Sequence, residues 1–592
     1  MDLVSPKDIL SINKNLKYFG GEKFAEFLLK VLKLDKINNL YSPVSSLSSS
    51  EFVEHVFKIL NVEISIPESD LQRIPREGPF ITISNHPYGG IDGLILMKLL
   101  PPIRPDFKIL SNFLLTRITP IKDIFLAVNP FESHKDVRSS LSGLKEAFYH
   151  LRDGSALGIY PSGEVSTYRF DTNLISDREW QSSVLKFIKK TKVPVIPIYF
   201  DGNNSLFFHF LGLLHPGLRT IKLPSELLNK HDKTIKVRIG NPISLNDQDN
   251  FPDINKYGRF LRAKTYSLSA SINQKKTYCL SNQTGEKIIE AIPEKKIIEE
   301  IKALNSKYLL FNVKDKYVFC APSKKIPVIL EEIGRLREIT YREVGEGTNK
   351  SKDIDEFDEY FEQLFIWDDN DKKIVGGYRA GKGKDILKSY GLKGFYINSL
   401  FKIRYNFLPI LGETIELGRS FIVKEYQKKP ISLFMLWKGI LYLLLKNPTY
   451  RYLIGPVSIS NEYSDFSKAL AVEFIKANHF NYEYAVNIKP RNRLKYNIPK
   501  IIDKDFLFHN AIKTISMFDK YVQDIEPNFK TPILLKKYIN LNAEIIGFNI
   551  DQKFNNCLDG LMILDLLDVP IETIESLSKE MNDDSILTRF RK

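Results

Sequence analysis

Short, wholly apolar runs alternate along the first half of the chain with stretches whose apolar positions recur every three to four residues. Runs at Phe80 to Ile83, Ile124 to Val128, Ala156 to Tyr160 and Val193 to Phe200 have the length and β-branched content of buried strands. Between them, Val137 to Arg152 and Trp180 to Lys190 carry helical spacing. Strands alternating with helices predict an α/β fold with a mostly parallel sheet flanked by helices and chemistry at the carboxyl ends of the strands. Ahead of these runs, Ile9, Ile12, Leu16, Phe24, Phe27 and Leu28, then Phe52, Val53, Val56 and Leu60, recur as on amphipathic helices. Residues 1–75 are therefore expected to form a helical layer, either a cap over a substrate or plain packing.

A polar stretch, Ser271 to Lys287, interrupts the pattern, and a new periodic segment starts at Ile288. We place a first domain over residues 76–270, a linker over 271–298, a second domain over 299–570 and a tail over 571–592. At 592 residues and 43% hydrophobic content, the chain can bury two cores. The longest apolar stretch, Ile431 to Leu445, is broken by Lys438 and is too short to span a bilayer. No charged leader followed by an apolar region opens the sequence, so a cytoplasmic location is expected. Cys279, Cys320 and Cys557 lie far apart, which supports neither a disulfide framework nor a metal site.

The formal charge is +14. Such a balance suits an anionic lipid surface, an acidic carrier protein or nucleic acid. The basic residues are spread and no recognition motif accompanies them, so nucleic acid is not expected as a partner. Leu206 to Leu218 is very apolar and is followed by Arg219 and Lys222. Two readings stay open for it: an interfacial segment in which Phe207, Phe208 and Phe210 touch a membrane, or a buried helix beside the sheet.

The candidate chemistry begins at Asn85 to Gly93, Asn-His-Pro-Tyr-Gly-Gly-Ile-Asp-Gly, just after a strand run. A carboxylate at Asp92 can fix the tautomer of His86 and leave its far ring nitrogen to take a proton from an attacking hydroxyl. The plainer reading makes Asn85 or Asp92 a helix cap. Three more segments follow in order: Ile124 to Phe131 (Ile-Phe-Leu-Ala-Val-Asn-Pro-Phe), Gly158 to Ser166 (Gly-Ile-Tyr-Pro-Ser-Gly-Glu-Val-Ser) and Val193 to Ile198 (Val-Pro-Val-Ile-Pro-Ile). Together they resemble the four blocks of the glycerolipid (lysophospholipid) acyltransferases. The five residues between His86 and Asp92, where four are commoner, resemble the hemolysin-like branch of that superfamily.

The resemblance implies His86 and Asp92 as catalytic residues, with Asn85, Ser162, Gly163 and Glu164 binding the acceptor or the oxyanion. Glu164 is displaced from the commoner Phe-Pro-Glu-Gly-Thr wording. No Ser or Cys nucleophile with its own base occurs in the blocks, so direct attack of a hydroxyl on a thioester is expected, with backbone N–H groups around Pro161 to Gly163 at the oxyanion.

In the second half, Glu332 to Gly347, Ile374 to Arg379, Glu416 to Ser420 and Leu453 to Asn461, with the helix-like Ile431 to Leu445, resemble a GNAT-like (acyl-CoA N-acyltransferase) α+β domain. Pro532 to Asp565 resembles the closing segment of the ornithine N-acyltransferases. Arg335, Arg337, Arg342 and Arg419, with Glu338, Glu343 and Glu416, are the charges embedded in these phrases. Of these, Glu343, Glu416, Arg419 and Arg342 are the N-acyltransferase candidates; the alternative is intra-domain ion pairs.

The combined resemblance is to a bifunctional aminolipid synthase of the ornithine-lipid type. It implies that the second half N-acylates an amino acid such as ornithine with a 3-hydroxyacyl thioester, and that the first half O-acylates the resulting lyso-lipid. No tightly bound cofactor is expected, only an acyl thioester donor on acyl carrier protein or coenzyme A, and the protein is expected to be peripheral on the inner face of the cytoplasmic membrane. The rival readings are a lysophospholipid acyltransferase whose second half only binds carrier or membrane, and a non-enzymatic lipid-binding protein.

Overall fold

A computed structural model describes residues 3, 5–6, 21–128, 137–214, 216–272, 285–304, 306–496 and 498–590. Ile9, Ile12 and Leu16, the end of the second block from Asn129 to Phe131, most of the polar stretch after Ile272, and Cys279 lie outside the described residues, as does the side chain of Leu28. The chain divides into two compact units, one of residues 1–274 with 498–511 and one of residues 275–497 with 512–592. The first unit thus takes in a short segment that sequence reasoning leaves inside the second domain.

The first unit holds β1 (Glu63–Ser65), β2 (Phe80–Ser84), β3 (Lys108–Asn112), β4 (Phe125–Val128), β5 (Ala156–Ile159), the hairpin β6 (Thr167–Arg169) and β7 (Leu174–Ser176), β8 (Val195–Phe200) and β9 (Thr234–Ile239). Seven of these form one sheet in the order β1-β9-β8-β2-β5-β3-β4. Every neighbouring pair is parallel except β8 with β9. The mostly parallel sheet expected from the alternating pattern is therefore present. β2, β5 and β8 are buried along their whole length, as central strands of a sheet covered on both faces must be. The helices Val137–Arg152 and Ser182–Thr191 supply the crossovers. Ahead of the sheet, Phe52, Val53, Phe57 and Leu60 of the helix Ser49–Leu60 pack into the main core, and Phe27 is exposed.

The second unit is built on eight strands: β10 (Leu309–Val313), β11 (Lys316–Pro322), β12 (Glu362–Asp368), β13 (Lys373–Lys382), β15 (Thr414–Ile422), β16 (Tyr452–Ile459), β18 (Glu544–Asp551) and β19 (Cys557–Asp565); β14 (Phe401–Ile403) and β17 (Ile488–Pro490) form a separate ladder. The order is β10-β11-β12-β13-β15-β16-β19-β18, antiparallel except between β15 and β16. That parallel pair is registered only from Thr414 to Glu416 against Tyr452 to Ile454, although both strands run on. At the point of divergence Gly455 lies so close to β15 that a Cβ would stand 2.3 Å from the Leu417 carbonyl oxygen, so no larger residue fits. The helix Pro430–Lys446 covers the expected apolar stretch and packs on β12 and β13, with Lys438 paired to Glu580. Residues 288–293 are coil; the helix begins at Glu294, after Pro293.

Candidate active site

β2 ends at Ser84, and the residues that follow turn into the helix Gly90–Leu99. The turn is held by Asp92, fully buried at the third position of that helix. Its Oδ2 accepts the N–H groups of Tyr88 and Gly89 at 3.0 Å each and lies 2.9 Å from His86 Nδ1. The helix cap and the His–Asp pair, alternatives in the sequence, are thus one arrangement: the carboxylate that caps the helix also aligns the imidazole. The five-residue spacing does not put Asp92 out of reach, because the turn folds back before the helix starts. The ring of His86 stacks on that of Tyr160 at 4.0 Å between centroids, with 29° between the planes. Burial drives the Tyr160 phenol well above its ordinary pKa, so this neighbour stays neutral.

A second carboxylate, not picked out by sequence reasoning, holds the backbone of the dyad. Asp177 Oδ1 accepts His86 N–H at 3.1 Å and the Ser166 hydroxyl at 2.6 Å, while Ser166 N–H donates to the His86 carbonyl at 2.8 Å. Burial pushes the Asp177 carboxyl upward, against the hydrogen bonds from Ser166 and His86. The only available signal was an Asp three residues ahead of a Trp, whose indole N–H donates to Asp177 Oδ2.

The remaining first-half candidates fall differently. Asn85 is buried and spans two strand ends: its side-chain amide donates to the Phe200 carbonyl and its Oδ1 accepts the Phe200 N–H. Both amide groups are engaged with the Phe200 backbone, so Asn85 braces the ends of β2 and β8. Gly163 (φ +69°) forms a turn in which its N–H donates to the Tyr160 carbonyl at 3.0 Å, and the Ser162 hydroxyl donates to the Glu164 carbonyl at 2.7 Å. The Gly163 N–H is thus not spare for an oxyanion. Glu164 pairs with Arg178 at 3.2 Å and Arg219 at 2.7 Å. These charges line a cavity of about 710 Å³ beside the helix Leu206–Leu214. On that helix Phe207 and Phe210 are exposed, but Phe208 is 1% exposed and belongs to the core, which removes it from the membrane-contact set. Among the described residues no helix is long and apolar enough to cross a membrane, and no group of three or more His, Cys, Asp or Glu could hold a metal ion.

In the second unit the four candidates separate. Glu343 is exposed and paired with Lys424 at 2.9 Å. Arg342 binds Glu338 and the carbonyls of Glu286 and Lys350, tying the start of the unit to a loop. Both are engaged in ion pairs, the alternative reading of these charges. Glu416 and Arg419 do converge, on Tyr396. Glu416 accepts the N–H groups of Tyr396 at 3.1 Å and Ile397 at 2.7 Å. Arg419, at positive φ (+54°), pairs with Asp353 and Asp355 and lies over the rings of Tyr396 and Phe554. The Tyr396 hydroxyl donates to Asp551. Asp551 belongs to an acidic group with Glu346 and Asp559; Asp551 and Asp559 lie on the paired strands β18 and β19, inside the segment that resembles the ornithine N-acyltransferases, whereas Glu346 comes from a distant loop that sequence reasoning did not connect to them. Burial, reinforced by neighbouring carboxylates, raises Glu346 and Asp559 each to about 7; burial, with Asp355 beside it, does the same to Glu416 against its backbone hydrogen bonds and the Arg379 charge.

Comparison with known proteins matches residues 13–275 to the acyltransferase family and residues 336–438 to the acetyltransferase (GNAT) domain. The chain joins an acyltransferase domain to a GNAT domain. Both are families of acyl-transferring enzymes, and the dyad sits in the first while Glu416 and Arg419 sit in the second. Among curated relatives, the chain is 31% identical over 207 residues to a glycine N(alpha)-acyltransferase of Bacteroides thetaiotaomicron, spanning 61% of that protein. It is 27% identical over 313 residues to a glycine N(alpha)-acyltransferase of Phocaeicola vulgatus, covering 50% of this chain and 94% of the relative. A lyso-glycine lipid O-acyltransferase of Phocaeicola vulgatus is 24% identical over 274 residues, covering 44% of this chain and 95% of the relative. The acyltransferase match contains the His86–Asp92 pair and its Asp177 support, and the GNAT match contains Glu416, Arg419 and Tyr396.

Proposed function

We propose that the chain makes a two-chain aminolipid by two successive acyl transfers. The GNAT domain attaches a 3-hydroxyacyl group to the amine of an amino acid, and the acyltransferase domain esterifies the hydroxyl of the product. The observation that carries this reading is the presence in one chain of both families, one matching relatives named for N-acylation of glycine and the other fitting relatives named for O-acylation of a lyso-glycine lipid. Those relatives favour glycine as the amino acid; the phrases of the second half resemble ornithine N-acyltransferases and keep ornithine as the second acceptor to be tried.

For O-transfer, Asp92 fixes Nδ1 of His86 as the bound nitrogen, leaving Nε2 as the base. His86 takes the acceptor hydroxyl proton as the oxygen attacks the thioester carbonyl; the C–S bond then breaks, and the proton passes to the departing thiolate. Asp177 and Tyr160 position the imidazole from its backbone and its face. For N-transfer, the acceptor amine must lose a proton before attack, and carboxylates raised to about 7 are matched to that task near neutral pH. Glu416 and Arg419 are positioning residues that act through Tyr396. An acyl thioester on coenzyme A or on an acidic carrier protein is the donor, and the positive charge of the chain supports the carrier. The protein works from the inner face of the cytoplasmic membrane, where its second acceptor resides.

Purified full-length chain should convert glycine or ornithine and a 3-hydroxyacyl thioester to the lyso-lipid, and then, with a second thioester, to the diacyl product. Esterification of lysophosphatidic acid with no amino-acid acylation would instead favour a lysophospholipid acyltransferase whose second half only binds.

A further inference from the structure

The helix Leu206–Leu214 turns its apolar face outward and its polar residue inward. Leu206, Phe207, Phe210, Leu213 and Leu214 are each at least 52% exposed, whereas His209 is 6% exposed. Neither ring nitrogen of His209 has a hydrogen-bond partner. Buried polar atoms are ordinarily paired, and one that is unpaired in a cavity wall is a group kept for a ligand. Burial and the adjacent Arg219 charge depress the basicity of His209, so it stays neutral, with one N–H to give and one nitrogen to accept.

The cavity it lines is amphipathic. Arg219 and Arg178 share the single carboxylate of Glu164 on one wall, and the exposed Phe170 and Leu213 form an apolar rim. A helix with apolar residues outward and a polar cavity behind suits a boundary where lipid lies outside and a head group enters. Glu164, Asp171 and Glu179 in the lining balance Arg169, Arg178 and Arg219, which leaves no excess positive charge for a doubly charged phosphate. A singly charged, planar carboxylate matches an imidazole N–H beside a guanidinium.

We propose that this cavity seats the carboxylate head group of the N-acylated amino acid, with His209 donating to one oxygen, Arg219 supplying the charge, and the acyl chain leaving past Phe170 and Leu213. The inference rests on reading the first unit as the O-acyltransferase, and it names the group by which that unit selects its acceptor.

The test is calorimetric binding to the full chain of N-palmitoylglycine below its micelle-forming concentration, of its methyl ester and of lysophosphatidic acid. The acid should bind at least 10-fold tighter than the other two. His209→Phe, with a melting temperature no lower than the wild type, should weaken the acid at least 10-fold and leave the ester unchanged; His209→Gln, which keeps a donor and an acceptor, should retain most of the affinity. Equal binding of acid and ester, or lysophosphatidic acid binding as tightly as the acid, overturns the proposal with no variant needed. So does a folded His209→Phe protein that binds the acid like the wild type. O-acylation of N-(3-hydroxyacyl)glycine is assayed in parallel: His209-dependent binding without turnover contradicts the O-transfer reading alone, and turnover without preference for the acid contradicts the head-group seat alone.

Discussion

Among single residues, the proposed O-transfer rests on the His86 imidazole, which Asp92, Asp177 and Tyr160 hold in place. His86→Ala should lower O-acylation by about 100- to 10,000-fold, the usual worth of a general base, while N-acylation is unchanged; equal loss of both transfers would remove His86 from a role in one reaction. Gly163 makes a conformational demand that can be measured separately. At φ +69°, with a Cβ reaching 2.1 Å from Gln181 Nε2, Gly163→Ala should cost about 1 to 3 kcal/mol, partly recovered by Gln181→Ala, as read by thermal unfolding. In the second unit, Asp559 is raised from 3.8 to about 7 by burial. A carboxyl held above its unfolded value binds its proton in the folded state between those pH values, so its contribution to stability is present below about pH 4 and is lost as pH rises through 7. Between pH 5 and 8 the wild type should therefore lose stability relative to Asp559→Asn, by an amount on the order of 2 kcal/mol. Parallel pH profiles for the two proteins would contradict the raised carboxyl.

Among the elements, the strands β2, β4, β5 and β8 were legible because each is a short apolar run. β1, β3 and β9 were not, since Glu63, Lys108 and the alternating Thr234 to Arg238 carry polar residues where edge or half-covered strands meet water. His86 and Asp92 could be read because local spacing joins them through a single turn. Asp177, His209 and the Glu346–Asp551–Asp559 group could not, because their roles arise only when the sheet assembles. The helix Leu206–Leu214 illustrates the same limit: sequence alone did not decide between membrane contact and core, and its residues divide between exposure and burial. Phe207→Ser with Phe210→Ser should release protein from anionic vesicles without lowering its melting temperature, because both rings are exposed. Phe208→Ser should instead destabilise the fold by about 3 kcal/mol or more. High salt should free only part of the wild type, since screening weakens charge but not inserted apolar surface. A Phe207/Phe210 double variant that melts far lower, or a wild type that never binds vesicles, would refute the interfacial role.

At the scale of the whole molecule, the two units are not consecutive pieces of chain. Ile498 to Ala511 belongs to the first unit, where Asp503 pairs with Arg259 and Phe506 lies against Arg259 and Phe251. A fragment ending near Ile272 lacks those groups, so it should melt below the first unit of the intact chain, and Phe506→Ala in the intact chain should cost about 3 kcal/mol. An unchanged unfolding profile for Phe506→Ala would show the segment to be dispensable. The proposal that one chain performs both transfers rests on the presence of both families in it. It is tested most directly by mass spectrometry of lipids extracted from a host that lacks aminolipids and expresses this chain. A phosphate-free lipid containing one amino acid and two acyl chains, the second ester-linked, is expected; an extract changed only in its phospholipids, or not changed at all in a host that accumulates folded protein, would contradict the proposal.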